Sequence, residues 1–299
     1  MTTKLNGILK VDEPMSRHTS WRVGGVADQF YLPESLNDLC NYLKELSLSE
    51  EIVWIGLGSN VLVRDGGIRG TVLCTSGVLN EINYIGNNCV RVEAGVACPK
   101  MAKKCADKAL VGIEFLSGIP GTIGGALFMN AGALGNEIWE FVKEVETITR
   151  QGEIRKRSKN DFDITYRQVS GKNFELGIDE WFVSGTFKLE SGEVNTSKAR
   201  IKKILQHRSA TQPTQLANAG SVFRNPDGLF AAKLIEDSGL KGFCIGGACV
   251  SDKHANFFIN TGTATAKDIE SLIEYVNELI YKNHGIRLVV EVKVIGDES

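Results

Sequence analysis

Basic charge is not in surplus in this chain. Its 34 Lys and Arg residues face 36 Asp and Glu, for a formal net charge of −2. A protein that neutralises a run of phosphates needs such a surplus, so nucleic acid is not the expected partner. The one basic run, Arg155-Lys156-Arg157-Ser158-Lys159, reads as a solvated strand end or helix start. Long apolar runs are also missing: none approaches the roughly 20 residues that span a bilayer. The stretch Met1 to Val11 is polar and lacks an apolar signal region. The expectation is a cytoplasmic protein with no membrane partner.

Metal-ligand and nucleophile signatures are absent too. The seven cysteines, Cys40, Cys74, Cys89, Cys98, Cys105, Cys244 and Cys249, contain no C-x-x-C pair and lie near no His cluster at zinc spacing. An odd, scattered count predicts buried free thiols in a reducing compartment, and no metal. Only four histidines occur, His18, His207, His254 and His284, and none adjoins a nucleophile candidate. There is no G-x-G-x-x-G after a strand and no G-x-x-x-x-G-K-[ST], so neither a Rossmann site nor a P-loop is supported. Ser221 lies in Gly220-Ser221-Val222-Phe223, which is not a G-x-S-x-G elbow and argues against a hydrolase.

Glycine is abundant instead, with 32 residues against six prolines. At roughly 100–200 residues per domain, a chain of this length suggests two. Ser35 to Leu46 reads as a helix capped by Ser35. Ile52 to Ile55, Thr71 to Cys74 and Cys89 to Ala94 read as strands, and Pro99 to Ala109 as a helix. A hairpin is expected around Gln151-Gly152, and Ser158-x-x-Asp161 resembles a capping box. Ser197 to Arg208 reads as a helix with Ile201, Ile204 and Leu205 inward. Phe230 to Ser238 reads as a helix ended by Gly239. Thr265 to Asn283 follows as a long amphipathic helix, and Arg287 to Ile295 as a final strand. Strands and helices mix without a regular βαβ repeat, so the class is α+β. A boundary is expected near residues 190–200.

Two glycine loops suit a cofactor. Gly56-Leu57-Gly58-Ser59-Asn60 follows a strand, where bare backbone can approach a phosphate and Ser59 and Asn60 add donors. A tight turn would read the same way. Ser117-Gly118-Ile119-Pro120-Gly121-Thr122-Ile123-Gly124-Gly125-Ala126, continuing to Asn130-Ala131-Gly132-Ala133, has little side-chain volume. A flat or elongated ligand could lie on it; close helix–strand packing wants glycine as well. Among polar residues, Arg167 could bind a carboxylate bidentately or be a surface arginine. Ser221 could donate a proton or sit in an ordinary turn. Strand alternation puts Glu291 on a face with Val289, Lys293 and Ile295, where a solvent-facing glutamate is also a sufficient reading.

In order along the chain, these segments resemble the UDP-N-acetylenolpyruvoylglucosamine reductase (MurB) family. The matching pieces are His18-Thr19-Ser20-Trp21-Arg22-Val23-Gly24-Gly25, Gly56 to Val63, Gly118 to Gly125, Tyr166-Arg167, Ala219 to Pro226, and the strand holding Glu291. Gln215-Leu216-Ala217-Asn218 departs from the proline the family often has there. The chain also lacks the insertion that supplies a substrate-clamping tyrosine in one subgroup, and so resembles the shorter, second type.

The resemblance implies a vanillyl-alcohol-oxidase-type FAD-binding fold with two subdomains, about 1–70 and 71–195, and a C-terminal α+β substrate domain over 196–299. It places tightly bound FAD against Gly56, Gly58, Ser59, Asn60, Gly118, Ile119, Pro120, Gly121, Thr122, Gly124 and Gly125. It makes Arg167, Ser221 and Glu291 catalytic, and Tyr166, Asn225, Lys233 and His254 substrate contacts. The implied reaction is NADPH-dependent reduction of UDP-N-acetylglucosamine enolpyruvate to UDP-N-acetylmuramate, in peptidoglycan synthesis. It thus belongs to cell-wall biogenesis, with its bearing on cell shape and division. Hydride would go from reduced flavin to C3, and a proton from Ser221 to C2. Two other readings are an oxidase of the same fold and a sugar-nucleotide sensor without catalysis. The combination of Arg167, Ser221 and Glu291 speaks against both.

Overall fold

The computed structural model describes residues 5–298; of the N-terminal stretch read above, residues 1–4 lie outside the described residues. The chain divides into two compact units that are discontinuous in sequence. The first holds the described residues up to Val11, with Gln29–Gly56 and Gly70–Gln206. The second holds Asp12–Asp28, Leu57–Arg69 and the chain from His207 onward.

The first unit is built on a five-stranded sheet. Its order is Ile154–Arg157, Val142–Thr149, Glu180–Lys188, Cys89–Glu93 and Ile82–Gly86, and every neighbour is antiparallel. The expected turn at Gln151-Gly152 joins the first two strands, with Gly152 at φ 73°, a conformation glycine adopts without a Cβ penalty. Strand Ile52–Ile55 pairs in parallel with Thr71 to Cys74. Helix Leu36–Glu45 starts where its cap predicts: the Ser35 hydroxyl accepts from the Asp38 amide at 3.1 Å. Its Leu39, Tyr42 and Leu43 are buried with Trp181 and Ile148. A larger core gathers Val90, Val92, Met101, Phe115, Leu127, Trp139 and Phe187. The Ser158 box also forms, its amide donating to Asp161 at 2.7 Å.

Helix Val194–Thr211 begins three residues earlier than expected, and its inward face is corrected in part: Ile201 packs against the core as expected, whereas Leu205 does not. Leu205 is exposed, Ile201 and Ile204 are half-buried, and Ser197 is the buried residue. Ser197 donates to the buried Glu114 carboxylate at 2.8 Å, so a polar contact anchors this helix.

In the second unit a four-stranded antiparallel sheet runs Ala217–Ser221, Phe257–Asn260, Ala248–Val250, Cys244–Ile245. Helix Ala266–His284 buries Ala266, Ile269, Leu272, Ile273, Val276 and Ile280, a stripe at helical spacing. Thr265 and Asp268 form a reciprocal capping box, and Gly285 ends the helix at φ 70°. Trp21 is fully buried in this core, its indole N–H donating to the Phe258 carbonyl at 2.7 Å.

Two expectations are corrected here. The last strand spans only Lys293–Ile295, parallel to Val61–Val63. The expected strand start is occupied otherwise: the Asn277 side chain donates to the Leu288 carbonyl and accepts from its amide, both at 2.9 Å. A side chain thus fills the hydrogen bonds a strand partner would have taken. The cysteines are not all free thiols either. Cys244 and Cys249 form a disulfide across a hairpin, and the other five are unpaired.

Candidate active site

Within the first unit the two glycine loops meet. A Cβ added to Gly56 would lie 2.5 Å from the Thr122 hydroxyl oxygen, and one on Gly124 would lie 2.9 Å from the Ala94 Cβ. Glycine is needed at these positions for close packing, the plainer of its two readings. Gly125 differs: it is exposed, a Cβ there would meet only the Thr122 hydroxyl at 3.8 Å, and its backbone is bare to the outside. Thr122 is the N-cap of helix Ile123–Phe128. The loop is fixed by Cys98 N–H to the Gly121 carbonyl at 2.9 Å, and by Ile123 and Gly124 N–H to the Val96 and Ala94 carbonyls at 2.8 Å. Pro120 is exposed, and Gly118 and Ile119 are half-buried.

Arg167 lies in the two-residue loop joining the paired strands Phe162–Thr165 and Gln168–Gly171. Its φ is 58°, the left-handed region that side chains rarely adopt. Its guanidinium donates to the Gly132 carbonyl at 2.7 Å and the Asn130 carbonyl at 3.4 Å, and lies 5.0 Å from the Tyr166 ring centre. Asn130 is itself buried and held, donating to the Thr165 carbonyl at 3.0 Å and the Glu137 carboxylate at 2.6 Å. Arg167 is therefore a braced cation at the end of the second glycine segment. That bracing shows a guanidinium held in place rather than a loose surface arginine.

Within the second unit the backbone brings Asn60, Ser221 and Glu291 onto one framework. The Asn60 side-chain amide donates to the Glu291 carbonyl at 3.1 Å, and the Lys293 amide donates to the Asn60 carbonyl at 3.0 Å. The Glu291 amide donates to the carbonyl of Val222, the residue after Ser221, at 2.8 Å. Val290 forms a bridge with Phe223, and the Arg224 amide donates to Val289 at 2.8 Å. Ser221 itself pairs with Phe257. Gly58 is at φ 59°, where an added Cβ would lie 2.0 Å from the His18 carbonyl oxygen, and the Ser20 amide donates to the Gly58 carbonyl at 3.0 Å. Asp65, further along the same segment, accepts from the Ala266 and Lys267 amides at 3.0 and 2.9 Å. The segment is thus tied to the start of the long helix.

Each of the four expected substrate contacts has its own surroundings. Asn225 is exposed, and its side-chain oxygen accepts from the Ala231 amide at 3.1 Å, so it anchors the helix Ala231–Asp237. Lys233 on that helix is ion-paired with Asp237 at 2.6 Å. Tyr166 is exposed beside Arg167. His254 packs edge-on to Phe257 at 4.7 Å, and its Nδ1 is buried without a hydrogen-bond partner. Burial pushes its pKa below the ordinary histidine value.

One residue escaped sequence reasoning. Asn256 is buried and clamps Phe223 from both sides, accepting from its amide at 3.0 Å and donating to its carbonyl at 2.8 Å. Only its position inside Ala255-Asn256-Phe257-Phe258, a polar side chain among apolar ones, could have signalled it. Among the described residues no group of three or more His, Cys, Asp or Glu could hold a metal, and no helix is long and apolar enough to cross a membrane.

Residues 27–158 match the FAD binding domain family. Residues 212–295 match the family described as UDP-N-acetylenolpyruvoylglucosamine reductase, C-terminal domain. A UDP-N-acetylenolpyruvoylglucosamine reductase of Legionella pneumophila (strain Corby) is 52% identical over 298 residues, covering 99% of this chain and 95% of its own. One from Methylococcus capsulatus is 51% identical over 285 residues, covering 95% and 92%. The crystal structure of UDP-N-acetylenolpyruvylglucosamine reductase (MurB) from Thermus caldophilus superposes with a TM-score of 0.82 at 28% identity, covering 97% of this chain and 99% of that one.

An FAD-binding domain followed by a reductase C-terminal domain, in an α+β chain, defines a flavin-dependent oxidoreductase with the vanillyl-alcohol-oxidase-type fold. The chain belongs to the UDP-N-acetylenolpyruvoylglucosamine reductase family, and its lack of the long insertion is consistent with the shorter subgroup.

Proposed function

We propose that this protein catalyses the NADPH-dependent reduction of UDP-N-acetylglucosamine enolpyruvate to UDP-N-acetylmuramate in the cytoplasm, as a step of peptidoglycan precursor synthesis. Half-identity to reductases of that name over nearly the whole chain supports the substrate class. The observation that carries the reading is the backbone framework tying Glu291 and Ser221 together through Val222. In this reading residues 1–195 serve the cofactor and 196–299 the sugar nucleotide. Gly56, Gly58, Ser59 and Asn60 would hold FAD together with the stretch from Gly118 to Gly125, whose exposed Gly125 leaves backbone bare to a ligand.

When bound, FAD supplies hydride transfer from NADPH to C3 of the enolpyruvyl group. Negative charge then develops at C2 and on the conjugated carboxylate oxygens. Arg167, a permanent cation whose orientation is already fixed by two carbonyls, stabilises that charge more in the transition state than in the ground state. Glu291 helps hold the carboxylate group. Ser221 gives its hydroxyl proton to C2; a serine hydroxyl is a weak acid, but an enolate carbon is a strong base, so the transfer is favourable. Tyr166, Asn225, Lys233 and His254 contact the substrate.

The test is an anaerobic visible spectrum of the purified protein. NADPH should bleach the flavin absorbance, and the UDP-enolpyruvyl sugar should restore it. Bleaching that the sugar fails to reverse would leave a flavoenzyme with a different substrate. A folded protein that binds no FAD would overturn the whole reading.

A further inference from the structure

Of the seven cysteines, five are unpaired and four of those are buried. Burial pushes Cys98 and Cys105 up to about 12, which leaves them almost wholly as unreactive thiols near neutral pH. The remaining two are placed differently. Cys244 and Cys249 are direct cross-strand partners in a hairpin of two rungs, the other rung being Ile245 with Ala248. They are bonded, and Cys244 is exposed whereas Cys249 is buried. One sulfur is therefore open to attack from solvent, and the other can act as leaving group.

The hairpin does not depend on the bridge. Its turn at Gly246-Gly247 is anchored three other ways. The Gly247 amide donates to the Asp268 carboxylate at 3.3 Å. The Gly247 carbonyl accepts from the Thr261 amide at 3.0 Å and from its hydroxyl at 2.8 Å. Beside the hairpin, Phe243 stacks on Tyr275 of the long helix at 4.7 Å. Opening the bridge removes one link from a turn that these contacts still hold.

We propose that Cys244 and Cys249 form a reversible thiol–disulfide site, opened by dithiols and closed by small disulfides while the protein stays folded. In opening, a thiolate of the dithiol attacks the Cys244 sulfur. The S–S bond breaks, and its electron pair leaves on the Cys249 sulfur, which takes a proton from solvent. The second thiol of the reductant then attacks the mixed disulfide and releases Cys244 as a thiol. The protein gains two electrons and two protons, and the dithiol becomes a cyclic disulfide. Closing reverses this: two molecules of glutathione leave as oxidised glutathione is reduced. In a reducing compartment a bridge with one exposed sulfur is kept open most of the time and closes under oxidative load.

The site shares a sheet with the proposed proton donor. The Cys244 strand is the edge of the sheet whose opposite edge carries Ser221. Closure therefore stiffens the sheet on which the proton donor is mounted.

The experiment uses the full-length FAD-loaded protein and is independent of its substrate. The protein is equilibrated with oxidised glutathione, denatured, and its thiols are alkylated and counted by mass spectrometry. Five alkylated cysteines and a peptide cross-linked between Cys244 and Cys249 are expected, from seven cysteines of which two are bridged. Dithiothreitol without denaturant should raise the count to seven while circular dichroism stays unchanged. Cys249→Ser should trap glutathione on Cys244. Seven alkylated thiols after oxidation would overturn the proposal. So would a bridge that opens only when the protein unfolds, or a Cys249→Ser protein that takes up no glutathione.

Discussion

The Glu291 amide donates to the Val222 carbonyl at 2.8 Å, and Val222 directly follows Ser221. The proposed proton donor and a carboxylate 70 residues further along the sequence are thereby mounted on one short piece of backbone. On the opposite side, the Val222 amide donates to Asn256 at 2.9 Å, and the Asn256 side chain clamps Phe223. The segment from Ser221 to Arg224 is consequently bonded along both flanks. Such bracing is what a proton donor needs, because general acid catalysis requires the donor within hydrogen-bond reach of the atom it protonates.

Ser221→Ala removes the proposed donor and leaves the backbone bonds around it in place. Reoxidation by the enolpyruvyl sugar should slow by roughly 10²–10⁴-fold, the scale for one general acid. Reduction by NADPH should change little. Anaerobic stopped-flow absorbance resolves the two half-reactions, and an equal loss in both would sink the assignment.

Asn256→Ala separates positioning from chemistry. It leaves the Phe223 amide and carbonyl without their partner in a buried setting, at a cost of about 2–4 kcal/mol for two lost bonds. Urea unfolding should show that loss. Sugar-dependent reoxidation should also fall in the fraction that remains folded, with flavin reduction preserved. Asn256→Asp, which keeps the acceptor and loses the donor, should lie between. If the alanine variant reoxidises at the parental rate, the clamp serves stability alone.

Arg167→Lys keeps the charge and loses the fork. A lysine ammonium is a point charge on a flexible stem and cannot hold the Gly132 carbonyl while presenting a planar face to a carboxylate. Reoxidation by the sugar should drop by roughly 10²–10³-fold, comparable to losing one charge-stabilising donor. Arg167→Ala should be worse still. Parental rates in Arg167→Lys would show that charge alone suffices.

Local signals were readable and distant ones were not. The caps at Ser35 and Thr265, the stop at Gly285 and the turn at Gln151-Gly152 each depend on residues within a few positions of one another. The long helix was legible because its apolar stripe repeats at helical spacing. The strand expected from Arg287 was read too long because Asn277, eleven residues from Leu288, takes the bonds a strand partner would have taken. Alternation of apolar residues cannot reveal that competition. The family motifs mark Ser221 and Glu291 as candidates, but nothing in those motifs shows the framework that joins them. Nor do they show the clamp by Asn256, 33 residues from Phe223. The disulfide was missed because spacing alone does not show that two cysteines face each other across a hairpin.

His254 offers a test by pH. Burial is the largest influence on its ring and pushes its pKa below the unfolded value. Between the two values the unfolded chain binds a proton at this ring that the folded chain does not. Stability therefore rises with pH through that window, and is lost as pH falls from about 6.5, the unfolded histidine value, through the folded one. The unfolding free energy should decline between neutral and mildly acidic pH, and His254→Gln should flatten the decline by up to one proton's worth of slope. Binding of the sugar nucleotide should sharpen the comparison. If the neutral ring contacts substrate, the affinity of wild type should hold down to the lowered folded value and weaken as pH falls through and below it, while that of His254→Gln should be weaker but insensitive to pH there. Calorimetric titrations of the oxidised, FAD-loaded protein at several pH values measure this. An affinity whose pH dependence is the same in wild type and variant would remove His254 from the substrate contacts and leave it a packing partner of Phe257.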